Sequence, residues 1–311
     1  MQTIVEFDKA FADESACRQF LQDMRWPHGV TCPRCGNTKV YALKAKPFHW
    51  VCKSGIQTTN EDGEPVVCAK NGGYRFSVIS HTIFQDTKIP LTRWYKVAYL
   101  ILTAKKGMSA LQVHRIMFGE DSGSDYRTSW YMVMRLRCAM KSDVLPMTGE
   151  VEVDETFIGG KAHNMHASAR KRAGLTGTKG KVAVIAAISR KGMIVAKVIE
   201  NTDTPTLDSF VRATVSKDVK LIATDEHSGY RLLGADMNHR VVRHSAGEYV
   251  VGTTHTNTIE GFWSLFKRGI IGSYHKVSKQ YLPLYVNEFA WRFNNRKNPA
   301  MFADLLQAVS K

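Results

Sequence analysis

The sequence predicts an α/β protein. A mixed sheet with flanking helices occupies its C-terminal half, behind a small cysteine-bearing module and a run of helices. Three observations carry this reading. VEVDETFIGG (151–160), KVAVIAAIS (181–189) and MIVAKVIE (193–200) follow one another and have strand composition. PLTRWYKVAYLILTAKKG (90–107) and HTNTIEGFWSLFKRGIIG (255–272) repeat apolar residues at helical spacing. Four of the six cysteines crowd into residues 32–68.

The bulk numbers narrow the function classes. A chain of 311 residues with 44% hydrophobic and 23% charged residues is long enough for two domains with a small extra module, and its composition is globular. The opening MQTIVEFDKAFADE shows neither a basic n-region nor an apolar h-region, so a cytoplasmic protein without a secretory signal is expected. The apolar runs VAYLIL and VAVIAAI fall short of the roughly 20 residues a membrane span needs. A net charge of +15, from 43 Lys+Arg against 28 Asp+Glu, is the footprint of a nucleic-acid binder. An anionic membrane surface is the alternative, but no lipidation motif or basic amphipathic anchor supports it.

Without a secretory signal, the cysteines Cys17, Cys32, Cys35, Cys52, Cys68 and Cys138 are not expected to pair as disulfides. CPRCG (32–36) is a metal knuckle: two thiolates two residues apart reach one tetrahedral Zn²⁺, and the glycine lets the chain turn beneath. A ribbon needs a second pair, and Cys52 and Cys68 remain, with fifteen residues between them. GIQTTNEDGEPVV, inside that gap, reads as an inserted hairpin tip. His49 is an alternative ligand. Four protein ligands leave no open position, so one structural Zn²⁺ is expected at Cys32, Cys35, Cys52 and Cys68. N-terminal helix and ribbon together span 1–80.

Residues 81–147 read as helical. The run 90–107 stops at Lys-Lys-Gly, a second helix starts at the N-cap Ser109, and a third begins at Thr128. A short helix, a turn and a helix carrying Arg135 and Arg137 resemble a helix-turn-helix that meets DNA. Plain three-helix packing is the alternative.

The texture changes at Gly149, and 148–311 form the third part. Residues 161–191 hold eight Lys/Arg and no acid. The first part, KAHNMHASARKRAGLTGTKG, reads as a flexible basic loop whose Arg170, Lys171, Arg172 and Lys179 suit DNA phosphates. A helix over 204–216, a strand over 221–230, a short strand over 237–244 and the helix 255–272 follow. Two more helices flank Asn298-Pro299. Three antiparallel strands, a helix, a parallel strand and further α/β is the order of an RNase H-like core.

Strand alternation puts Glu152, Asp154 and Thr156 on one face of the first strand, with Val151, Val153 and Glu155 on the other. Asp225 falls at the end of the fourth strand, and adjacent parallel strands would bring it to Asp154. Glu260 lies on the helix that follows, able to cover that edge. Three close acids repel one another unless cations bind. Mg²⁺ or Mn²⁺ suits such oxygens, and two ions about 3.5–4 Å apart serve phosphoryl transfer. Asn257 shares a helix face with Glu260 and competes for the third ligand position, while Lys267 returns to that face. His227 and His255 stand near the acids, able to assist a proton or touch phosphate. Trp263 suits core better than base stacking. Glu155 is expected to be dispensable, and Glu152, on Asp154's face, is expected either to support the metal site from behind or to pair with a nearby Lys or Arg. The chain has neither GxSxG nor GxxxxGK[ST], which argues against a hydrolase triad and ATP use.

CPRCG, YRFSVISHTIF, VEVDETFIGG, IATDEHSGY and HTNTIEGFWSLFKRG, in that order from about residue 8 to about 297, resemble the DDE transposases of bacterial insertion sequences with an N-terminal zinc ribbon. More narrowly, they resemble the insertion-sequence family numbered fifteen-ninety-five. The resemblance implies an RNase H-like domain that nicks DNA at transposon ends and joins the 3′-OH to target DNA. Water is then the first nucleophile, the freed 3′-OH the second, and at least a dimer forms on DNA. Asp154, Asp225 and Glu260 match the family's acidic triad, and Lys267 resembles its lysine. The wide Cys52–Cys68 gap departs from the family's close pair. The competing readings are a non-catalytic DNA-binding protein and a metal-dependent nuclease without strand transfer.

Overall fold

The computed structural model describes residues 3–59, 63, 65–119, 123–141, 146–160, 166–172, 174, 179–190, 192–247, 250 and 254–308, with backbone only for Ala169, Arg170 and His244. The chain forms two compact units: one of Met1–Thr103, Ala110–Ala139 and Asn298–Lys311, the other of Ala104–Ser109 and Met140–Lys297.

The first unit opens with α1 (Ile4–Ala10) and α2 (Glu14–Arg25). Thr3 and Glu6 form a capping box on α1, and Asp13 caps α2 through the amide of Ala16. A three-stranded antiparallel sheet follows, ordered β1 (Val40–Ala42), β2 (His49–Cys52) and β5 (Tyr74–Ser77). The hairpin of β3 (Gln57–Thr59) and β4 (Pro65–Val67) fills the gap between Cys52 and Cys68. That gap is thus an insertion with its own backbone pairing. Trp26, Trp50 and Phe76 supply a small aromatic core, with Trp50 stacked on Phe76 at 5.9 Å. Next come α3 (Leu91–Thr103), α4 (Ala110–Met117) and α5 (Tyr126–Ala139), mutually packed, with α10 (Met301–Ala308) against α2 and α3. Phe7, Phe11, Tyr95 and Phe302 join their rings at the centre.

The second unit is built on one five-stranded sheet, ordered β10 (His239–Val241), β9 (Leu221–Thr224), β6 (Glu150–Ile158), β7 (Val182–Ser189) and β8 (Ile194–Ile199). β6, β7 and β8 run antiparallel, while β9 is parallel to β6 and β10 to β9. Val151, Val153, Ala183, Ile185 and Ala187 face α7 (Thr204–Thr214). Ile158, Val184, Ala186 and Ile188 face α8 (Asn257–Gly269) and α9 (Leu282–Asn294). Burial on both faces explains why VAVIAAI is apolar throughout.

Two sequence expectations are corrected. The run 221–230 is strand only to Thr224, because the Asp225 carboxylate accepts the His227 amide at 3.0 Å and turns the chain. The basic stretch after β6 is not wholly loop: Ala167–Arg172 form a short helix, α6. Residues 161–165, 173 and 175–178 of that stretch lie outside the described residues.

Candidate active site and metal-binding clusters

The register of the parallel pair positions the first two acids. Glu150 pairs with Leu221 and Glu152 with Ala223. Continuing by two residues sets Asp154 beside Asp225, where β9 has just ended. Such strand ends are where ligands of open α/β sheets gather. A ligand oxygen from each of Asp154, Glu155 and Asp225 lies within 4.8 Å of the others, all half-buried.

The electrostatics of this cluster are unfavourable for anions on their own. Burial first, then the charges of Glu155 and Asp225, with a further contribution from Glu260, push Asp154 up to about 7. The Glu155 amide opposes this by donating to Asp154 Oδ1 at 2.8 Å. Glu155 is likewise raised, by burial first, against the lowering effect of the Tyr230 hydroxyl, which donates to its Oε2 at 2.5 Å. Closely spaced hard oxygens with uncompensated charge fit a divalent cation such as Mg²⁺ or Mn²⁺.

Glu260 is exposed on α8 and lies outside the 4.8 Å group, yet its charge acts on Asp154. Thr256 Oγ1 donates to its Oε1 at 3.0 Å. Asn257 and Lys267 are exposed on the same helix. Trp263 is only 3% exposed, in the core between sheet and helices, where it cannot stack on a base. His227 faces Glu155, its Nε2 3.9 Å from Oε1. His255 instead stands against Glu152, with Nδ1 3.1 Å from Oε1.

Two acids need more than alternation to place. Glu155 faces α7, with Tyr230, as alternation requires, but at the end of β9 its carboxylate still reaches the cluster. Glu152 is fully buried and bound by Arg190, whose Nε donates to Oε1 at 2.9 Å. Arg190 also binds Glu150 and the carbonyl oxygen of His255.

In the first unit, Cys32, Cys35, Cys52 and Cys68 bring their sulfurs within 4.8 Å of one another. Cys32 and Cys68 are 3.9 Å apart, and Cys35 and Cys52 are 3.7 Å apart. Gly36, with φ +70°, lets its amide reach the Cys32 carbonyl at 2.8 Å, closing the knuckle. Burial raises the Cys32 thiol to about 11. Four mutually close sulfurs fit a soft tetrahedral ion such as Zn²⁺. His49 stands outside this group, its Nδ1 2.9 Å from the Pro47 carbonyl oxygen.

Among the expected DNA contacts, Lys171, Arg172 and Lys179 are exposed, and the Arg170 side chain lies outside the described residues. Arg135 is half-buried, its guanidinium 5.4 Å from the Tyr131 ring centroid. Arg137 requires a correction: it is 1% exposed and donates to Met134 Sδ at 3.3 Å, so it belongs to the helical core. Helical period alone does not tell an arginine on the outer face from one whose stem packs inward.

Residues 146–294 match the family model described as an ISXO2-like transposase domain, and residues 12–54 match that of a transposase zinc-ribbon domain. An uncharacterized protein in transposable element ISH50 of Halobacterium salinarum is 24% identical over 295 residues, covering 91% of this chain and 92% of that one. An uncharacterized transposase-like protein of Haemophilus influenzae is 28% identical over 113 residues, 36% of this chain and 89% of its own length. A chain in the cryo-electron-microscopy structure of a simian T-cell lymphotropic virus intasome with PP2A regulatory subunit B56 gamma aligns at 13% identity and a TM-score of 0.29. It covers 63% of this chain and 65% of its own, too distant to speak for a common fold.

Proposed function

Because the chain belongs to the insertion-sequence DDE transposases with an N-terminal zinc ribbon, we propose that it binds the terminal inverted repeats of its element. It then hydrolyses a DNA strand at each end and joins the freed 3′-OH to target DNA. The observation that carries this reading is the meeting of Asp154 and Asp225 where the parallel β6–β9 pair ends. The antiparallel β6–β7–β8 and the parallel β6–β9–β10, helices on both faces, support an RNase H-like catalytic domain from 148 to Lys297, with α10 belonging to the first unit instead.

Asp154 and Asp225 would hold Mg²⁺ or Mn²⁺, with Glu260 completing the acidic set from α8. Two such ions supply activation of the attacking oxygen and stabilisation of the leaving one. The rest falls to the chain's own groups. β6 and β9 hold Asp154 and Asp225 in register, and the Asp225 carboxylate is fixed by the His227 amide. Tyr230 anchors Glu155 beside them. Exposed Lys267 is placed on α8 to contact a phosphate near the cut, and Asn257 lies one turn before Glu260. Lys171, Arg172 and Lys179, with Arg170, neutralise DNA backbone. The ribbon (1–80), stabilised by one structural Zn²⁺ on its four cysteines, and the helical region (81–147), with Arg135, recognise the element ends. Two ends must be joined, so a dimer or larger assembly forms on DNA, in the cytoplasm at the nucleoid.

The test is incubation with Mg²⁺ and DNA carrying the element's terminal inverted repeats, followed by separation of cleaved and joined products. Joined strands are expected. Cleavage without joining would reduce the protein to a nuclease, and neither product would leave a DNA-binding protein.

A further inference from the structure

Glu152 is the acid that the catalytic reading leaves unused. It precedes Asp154 by two residues on the same face of β6 and is 0% exposed. A buried carboxylate is costly unless its lone pairs are satisfied. Its Oε2 accepts the amides of Thr258 (2.9 Å) and Ile259 (3.0 Å). Its Oε1 accepts Thr258 Oγ1 and Arg190 Nε, both at 2.9 Å. His255 Nδ1 lies 3.1 Å away, outside hydrogen-bond alignment.

These amides belong to the first turn of α8. A helix leaves its first N–H groups without intrahelical partners, and an N-cap side chain ordinarily accepts from the second or third of them. Thr256, the N-cap residue here, makes no such bond, and its hydroxyl goes to Glu260. The cap is supplied by a strand residue 106 positions earlier in the chain. A carboxylate also suits the positive end of the helix dipole, and Arg190 balances its charge.

The consequence is geometric. One side chain fastens the start of α8 to β6 beside Asp154, and Glu260 follows Thr258 by two residues on that helix. We propose that Glu152 is a positioning residue: by capping α8 from the catalytic strand it sets Glu260 against Asp154. The proposal rests on the reading of Asp154, Asp225 and Glu260 as the cation-binding acids.

The full chain is compared with Glu152→Gln, Thr258→Val and Asp154→Asn. Mn²⁺ affinity is read from the electron paramagnetic resonance of free Mn²⁺, fold from circular dichroism, and DNA cleavage across a Mg²⁺ titration. Glutamine keeps one acceptor for the helix amides but turns an NH₂ toward the donating Arg190. Glu152→Gln is expected to weaken Mn²⁺ binding about 10-fold or more. Its cleavage should recover in part at high Mg²⁺. Thr258→Val removes one bond with little change of shape, and about a fivefold weakening is expected. Unchanged Mn²⁺ affinity in Glu152→Gln, with Asp154→Asn weakened, overturns the proposal and leaves the acids in place. Unchanged affinity in Asp154→Asn overturns the reading of the acids, and the proposal with it. If Glu152→Gln does not fold, Thr258→Val decides: native Mn²⁺ affinity there overturns the positioning role.

Discussion

The two ligand clusters of this molecule solve opposite problems. In the ribbon, four sulfurs close on one another, and three of the four cysteines are buried. At the end of β9, Asp154, Glu155 and Asp225 are only partly buried as residues, although the Glu155 side chain itself is 5% exposed. A closed set of four ligands satisfies a metal completely and stabilises a fold that is too small to do so by core alone. An open set of hard oxygens leaves positions for a phosphate. The difference teaches that burial and donor type, more than the count of ligands, separate a structural metal site from a reactive one.

The sharpest way to break the contrast is to damage each cluster and read both. Asp225→Asn is expected to reduce cleavage of element-end DNA by about 10³-fold or more, equivalent to roughly 4 kcal/mol of transition-state stabilisation. Its zinc content, measured by native mass spectrometry, should stay at that of the unaltered chain. Cys32→Ser should lose the zinc and the order of the β1–β2–β5 sheet. Zinc loss in Asp225→Asn, or full zinc in Cys32→Ser, would erase the distinction.

The two clusters were unequally legible. The ribbon's ligands lie within residues 32–68, and CPRCG announces two of them by spacing alone. The β3–β4 hairpin accounts for the wide Cys52–Cys68 gap without displacing either sulfur. Asp154 and Asp225 were readable because each sits on an otherwise strand-like run. Alternation alone sends Glu155 to the other face. That rule does not say that, where the neighbouring strand stops, carboxylates from both faces converge. For Glu152 the sequence leaves open a pairing with some Lys or Arg, but it does not show which one, because Arg190 and Thr258 lie 38 and 106 residues away. Contacts of that range follow from tertiary packing, and local pattern does not encode them. Arg137 was misread for a related reason, since a helix does not declare which of its cations packs inward.

A milder test uses protons against the open cluster. Asp154 is raised from 3.8 to about 7, so between those values the native protein holds a proton that the unfolded chain has released. Stability from this group is therefore fully present below about pH 4 and falls as pH rises through 7. Mg²⁺ binding opposes that loss by stabilising the ionised form. Adding Mg²⁺ at pH 8 should raise the melting temperature of the catalytic unit by a few degrees. At pH 5.5 the rise should largely vanish, because the cation must displace a proton. A rise of equal size at both pH values would mean that Mg²⁺ does not bind at Asp154. The ribbon gives the control, because its four sulfurs suit a softer ion than Mg²⁺.

The smallest expected effect concerns the cations that follow β6 in the chain. If DNA is cut at the open cluster, the exposed Lys171, Arg172 and Lys179 should each neutralise a phosphate. Each contact contributes about 0.9 to the slope of log affinity against log salt. The triple alanine variant should therefore flatten that slope by up to about 2.7 for DNA of any sequence. Arg137→Ala is the counterpart. Its guanidinium is buried within the helical core, so the change should lower thermal stability and leave the salt slope of the remaining folded protein unaltered. A flattened slope in Arg137→Ala, with none in the triple variant, would move the phosphate contacts from the strand end to the helical region. The open cluster would then be a metal site without the DNA-binding surround that strand cleavage requires.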